Sequence, residues 1–177
     1  MRTALNIARV AILALMATSG SGLAQGSGAE ARLKQLNITL PADSAPAANF
    51  VNSVQAGKLL FLSGNTPGGQ WPLKGKVGKD LTVEQGYQSA RQTGLIMLTK
   101  VRTALGSLDR VKRIVKVVGM VNSAEDFSDQ PKVVNGFSDL MVEVFGEAIG
   151  KHARSAVGMA GLPGNAPVEV EMIVEVE

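Results

Sequence analysis

The sequence predicts an α+β fold, a mixed β-sheet with two helices packed on one of its faces. Three observations carry that expectation. Two long segments repeat apolar residues every three or four positions, as amphipathic helices do. Several shorter runs are rich in Val, Ile and Leu and are bounded by Gly, Pro and Asn. In chain order these segments read β-β-α-β-α-β-β. The 177 residues, 45% of them hydrophobic, suffice for one buried core.

The elements follow in order. Arg2 and Arg9 precede an apolar run, Val10 to Ala17, which leads into Gly22-Leu23-Ala24. That is the pattern of a secretory leader over residues 1–24, with a periplasmic or secreted protein as its consequence. The run is too short for an ordinary membrane-spanning helix, so no membrane association is expected after cleavage. Residues 25–48 read as an N-terminal segment and linker. Arg32 to Leu40 contains the alternating Leu-Asn-Ile-Thr-Leu of a short strand, and Pro41 to Ala48 has linker composition. The folded domain is expected over residues 49–177.

Phe50 to Val54 and Lys58 to Ser63 flank Gln55-Ala56-Gly57 and predict a hairpin. The glycine-rich stretch from Gly64 to Gly78 lacks the phosphate-loop spacing and reads as a surface loop beside a site. Asp80 to Leu108 predicts a long helix. Thr82 and Gln85 have capping-box spacing, Tyr87, Met97, Val101 and Leu105 belong to its apolar stripe, and Gly106 marks its end. Val111 to Val121 reads as a strand. Ser128-Asp129-Gln130-Pro131 opens a second helix, whose apolar face runs from Val133 to Phe145. Asp139, Glu143 and Glu147 stand four apart on its other side, as a solvated face rather than a metal site. Arg154 to Met159 and Val168 to Val176 are the last strands.

Composition excludes several function classes. There is no cysteine, so thiol nucleophiles, Cys-ligated zinc and iron–sulfur clusters are ruled out. One histidine, His152, cannot supply a polyhistidine metal site, and its Gly-rich surroundings predict exposure. No cofactor and no metal is expected. Of 18 Lys and Arg, Arg2 and Arg9 fall in the leader, leaving 16 against 15 acidic residues. With 4% aromatic residues besides, nothing calls for nucleic acid.

Four segments resemble the RidA/YjgF family of reactive-intermediate deaminases. They are Leu60 to Asn65, Ala104 to Val111, Phe127 to Asn135, and Arg154-Ser155-Ala156-Val157 followed by Leu162-Pro163 and Val168-Glu169-Val170. The resemblance spans roughly residues 50–177. It implies a chorismate-mutase-like fold, assembled as a homotrimer with a site in each cleft between subunits. It also implies a small-molecule substrate with a carboxylate. The implied reaction is hydrolysis of 2-aminoacrylate or 2-iminopropanoate to a 2-oxo acid and ammonia.

Residue by residue, Arg154 matches the carboxylate-binding arginine and Glu169 the glutamate that handles the proton of the attacking water. Ser63 and Asn135 match polar positions near the cleft. Phe50 stands where the family often has tyrosine, and Ala156 where it often has cysteine. An arginine fork suits a planar carboxylate, and an imine needs only an oriented water and a modest proton shuttle. The loss of the tyrosine and cysteine, together with export, leaves an alternative: a non-catalytic periplasmic carboxylate-binding or protective trimer.

Overall fold

The computed structural model describes residues 28–177, so the expected leader over residues 1–24 lies outside the described residues. The chain forms α1 (Ala29–Gln35), β1 (Ser53–Ala56), β2 (Leu59–Asn65), α2 (Val83–Leu105), β3 (Val111–Asn122), α3 (Gln130–Phe145), α4 (Glu147–Gly150), β4 (Ala153–Met159) and β5 (Val168–Val176). The strands build one sheet in the order β1-β2-β5-β3-β4. Every pairing is antiparallel except β3 with β4, which makes the sheet mixed, as expected.

The helices form where capping and periodicity agree. Thr82 and Gln85 close a complete capping box at the start of α2, and Gly106 ends it in the left-handed conformation at φ 81°. Pro131 sits in the first turn of α3, where its missing N–H costs nothing. Val133, Val134, Phe137, Leu140, Met141 and Val144 are all fully buried. They meet Met97, Leu98 and Val101 of α2 and the alternating Val168, Val170, Met172, Val174 and Val176 of β5. Two glycines let the helices approach. A Cβ at Gly136 would lie 2.0 Å from the Tyr87 carbonyl oxygen, and one at Gly94 would lie 2.8 Å from Leu140.

Two sequence expectations are corrected. Arg32 to Leu40 forms no strand; α1 covers Ala29–Gln35 and the chain beyond it runs irregularly. The alternation of Leu36, Ile38 and Leu40 has another cause: Ile38 and Leu40 pack on the core while Leu36 stays exposed. Phe50 lies outside β1, which begins at Ser53, because the hairpin turns at Gly57 (φ 59°) and its pairing stops at Ser53 with Leu62. The stretch from Pro41 to Ala48 has no regular structure, and buried Lys100 of α2 holds it through Asp43 and Ser44.

Among the described residues the sheet's other face carries no helix. Register and alternation place Val54, Phe61, Ile173, Val118, Met120, Val157 and Met159 on it. Of these, Val54, Phe61, Val157 and Met159 are exposed.

Candidate functional site

Arg154 enters from β4, the edge strand that runs beside α3. Its register partner Val117 is fully buried, so the side chain leaves the sheet on the helix side. There its Nη1 donates to Asn135 Oδ1 and to Ser138 Oγ, both at 2.9 Å, and Nη2 donates to the Pro131 carbonyl at 3.4 Å. A guanidinium has five N–H groups. Among the described residues none accepts from Nε, so the edge shared by Nε and Nη2 remains for a ligand. That edge suits a planar carboxylate through two parallel charge-assisted bonds. A cavity of about 370 Å³, lined by Ser138, Asp139, Val142, Lys151, His152 and Arg154, opens beside it.

Glu169 lies on the opposite face. It stands on β5 between fully buried Val168 and Val170 and pairs with Met120 of β3. Its carboxylate covers the backbone of Gly64, where a Cβ would come within 2.2 Å of Oε1. No protein donor reaches it among the described residues, and burial, then the charge of Glu171, raises its pKa. Ser63 precedes Gly64 at an irregularity in the β2–β5 pairing, and its Oγ donates to the Val51 carbonyl at 2.6 Å. Phe50, next to Val51, is exposed.

The predicted residues therefore fall into two groups. Arg154 and Asn135 meet at the edge between β4 and α3, whereas Glu169, Ser63 and Phe50 belong to the helix-free side and the β2 end of the sheet. One chain does not bring the two groups together. Ala156 sits on the same side of β4 as Arg154, two residues along, and is half-buried.

Sequence reasoning missed two members of the arginine cluster. Ser138 gave no signal beyond a polar position in a helix. His152 was expected to be exposed and is instead half-buried, its ring edge-on to Phe137 at 6.4 Å between centroids. Burial lowers its pKa. A larger cleft, about 650 Å³, is bordered by Lys76 from the glycine-rich loop together with Ser123, Phe127, Gln130 and Gly158. Lys76 Nζ already donates to Asn122 Oδ1, Ser123 O and Ala160 O, so it ties loops together and has no proton left for a ligand. Asp139 accepts from Tyr87 Oη, Glu143 pairs with Arg91 and Glu147 with Lys151, which gives each of the three aligned acids a structural partner.

Comparison with known proteins accounts for most of this chain. It is 48% identical over 149 residues to Protein TCP17 of Trypanosoma cruzi, covering 82% of this chain and 92% of that one. It is 29% identical over 140 residues to the 2-iminobutanoate/2-iminopropanoate deaminase of Dermatophagoides farinae, covering 79% and 95%. The crystal structure of Atu1372, a protein of unknown function from Agrobacterium tumefaciens, superposes with a TM-score of 0.75 at 41% identity, covering 84% and 91%. Residues 30–176 match the model of the family described as "YjgF/chorismate_mutase-like, putative endoribonuclease". The mixed five-stranded sheet with its helices on one face is that family's chorismate-mutase-like fold, and the chain belongs to the RidA/YjgF family.

Proposed function

We propose that the protein hydrolyses small 2-imino acids of the 2-iminopropanoate type to 2-oxo acids and ammonia, in sites assembled between three identical subunits. The observation that carries this proposal is Arg154, fixed by α3 with no acceptor on Nε among the described residues and one Nη2 hydrogen left over beside the bond to Pro131. The similarity to a deaminase over most of both chains supports the same chemistry.

The substrate carboxylate docks on that edge and its imine carbon is presented to water. Glu169 takes a proton from water as the water oxygen adds to the C=N carbon, and hands it to the nitrogen. It then carries the carbinolamine hydroxyl proton to the nitrogen as the C–N bond breaks and ammonia leaves. Its raised pKa moves it toward the working pH, which makes it a better proton shuttle than an exposed glutamate. Since Arg154 and Glu169 leave opposite faces of one sheet, a working site takes the arginine of one subunit and the glutamate of its neighbour. The helix-free face, with Val54, Phe61, Val157 and Met159 exposed, is the surface a second and third copy would cover.

Ammonia release from freshly generated 2-iminopropanoate tests the proposal, with the parent and Arg154→Ala compared against spontaneous hydrolysis. Acceleration by the parent alone is expected. Equal turnover by Arg154→Ala would remove the arginine from the mechanism. Phe50 lacks the hydroxyl and Ala156 the thiol found in many deaminases of the family, which favours a second reading: a carboxylate-binding trimer without chemistry. Pyruvate binding without any acceleration would select that reading.

A further inference from the structure

His152 is the chain's one histidine, and the chemistry above gives it no task. Both of its ring nitrogens are nevertheless engaged. Nδ1 lies 2.6 Å from the Gly150 carbonyl oxygen, and a carbonyl only accepts, so Nδ1 must carry the proton. In the neutral ring Nε2 is then an acceptor, and Ser138 Oγ, 3.1 Å away, donates to it. With its proton directed at His152, Ser138 turns its lone pairs toward Arg154 Nη1. The hydrogen bonds run in one direction, from Arg154 to Ser138 to His152 to Gly150. Each donor is used once and each acceptor has a proton to receive.

The surroundings hold this order in place. The Phe137 ring stands at 79° to the imidazole and limits its rotation. Gly150 cannot shift, because its Cα sits so close to the Met141 backbone that a Cβ would lie 2.5 Å from that carbonyl oxygen. The charged groups around His152 are Arg154 on β4, Lys151 beside it and Asp139 on α3, all lining the same cavity. Two of these three are cations, which also disfavours a protonated ring.

We propose that Ser138 and His152 are positioning residues for Arg154: their one-way relay to the Gly150 carbonyl fixes the guanidinium so that its Nε–Nη2 edge faces the ligand. This deepens the proposal of Arg154 as a carboxylate anchor and rests on it. If the relay is lost, Arg154 keeps Asn135 and the long bond to the Pro131 carbonyl but loses the acceptor that fixes the second Nη1 hydrogen, and the guanidinium gains freedom to rotate. Substrate capture then weakens while the chemical step at Glu169 is unaffected.

Because the chain has one histidine, the full-length protein gives one imidazole pattern by nitrogen-15 NMR. The relay predicts a neutral Nδ1–H tautomer and an Arg154 guanidinium with slowed rotation. His152→Leu should release that rotation. His152→Gln, whose Oε1 can accept from Ser138, should restore it. With pyruvate as the probe, His152→Leu and Ser138→Ala should bind about tenfold more weakly, the scale of one lost hydrogen bond to a charged group. His152→Gln should recover most of that loss. In imine hydrolysis the loss should appear in KM with kcat unchanged.

An Nε2–H tautomer, an Arg154 signal indifferent to His152→Leu, or a loss confined to kcat would each overturn the relay. A parent that shows the NMR signature but neither binds pyruvate nor accelerates hydrolysis would overturn the carboxylate-anchor reading instead, leaving the relay as a structural device.

Discussion

At Glu169 burial raises the carboxyl pKa above its ordinary value, with Glu171 adding to the effect. The folded chain therefore keeps this proton to higher pH than the unfolded chain, and stability is lost as pH rises through the folded value. Glu169→Gln should accordingly raise Tm at about pH 8, with the gain vanishing at about pH 3, below the ordinary glutamate value, where the carboxyl is protonated in both states. The same substitution should abolish turnover, so melts and ammonia assays on one variant separate the two roles. Gly64→Ala belongs to the same pair. Its Cβ would meet Glu169 Oε1 at 2.2 Å, the free end of a flexible side chain, so the carboxylate swings aside and the fold persists. Activity should fall at least about tenfold with little change in Tm, a misplaced catalytic group being costly to rate. That Arg154 and Glu169 stand on the last two strands was legible in the sequence; their roles in a reaction are proposals. Ser138 and His152 were not, because a hydrogen-bond relay leaves no periodicity, and only the packing of α3 on β4 turns the connection at Gly150 inward.

The helix pair α2–α3 is held close by glycine rather than by large side chains. Gly136→Ala would drive a methyl into the Tyr87 carbonyl oxygen, 2.0 Å away on rigid backbone, and should cost about 3 kcal/mol in urea denaturation. Thr82→Ala removes the bond to the Gln85 N–H in the α2 capping box and should cost about 1 kcal/mol by the same measurement. Both helices and β5 could be read from sequence, since a one-sided apolar stripe and a strict alternation each fit one period only. The bounds of β5 coincide with those expected, because Val168, Val170, Met172, Val174 and Val176 all point to the core. The segment at Arg32 to Leu40 misled for the same physical reason. Alternate apolar residues also arise where an irregular chain lies along a core and dips into it at Ile38 and Leu40. The hairpin was found, but its start slipped from Phe50 to Ser53, because strand ends depend on cross-strand pairing that no single segment reveals.

The described residues of the molecule leave one sheet face without a helix, and the two halves of the candidate site sit on different sides of that sheet. The proposed trimer would account for both. Phe61→Glu places a charge at the exposed centre of the apolar face, opposite Val54 and Ile173. It should leave a folded chain that sediments as a monomer and does not release ammonia; a trimer of unchanged mass would show that this face is not the contact. The most direct measurement uses two inactive variants. Arg154→Ala and Glu169→Gln chains, unfolded and refolded together in equal amounts, should regain about one quarter of the parental ammonia release from 2-iminopropanoate, the fraction of random interfaces with both native residues. Each variant refolded alone should stay at the spontaneous rate. A mixture as inactive as its components, beside an active parent, would contradict a site shared between subunits. A parent no faster than spontaneous hydrolysis would contradict the reaction itself.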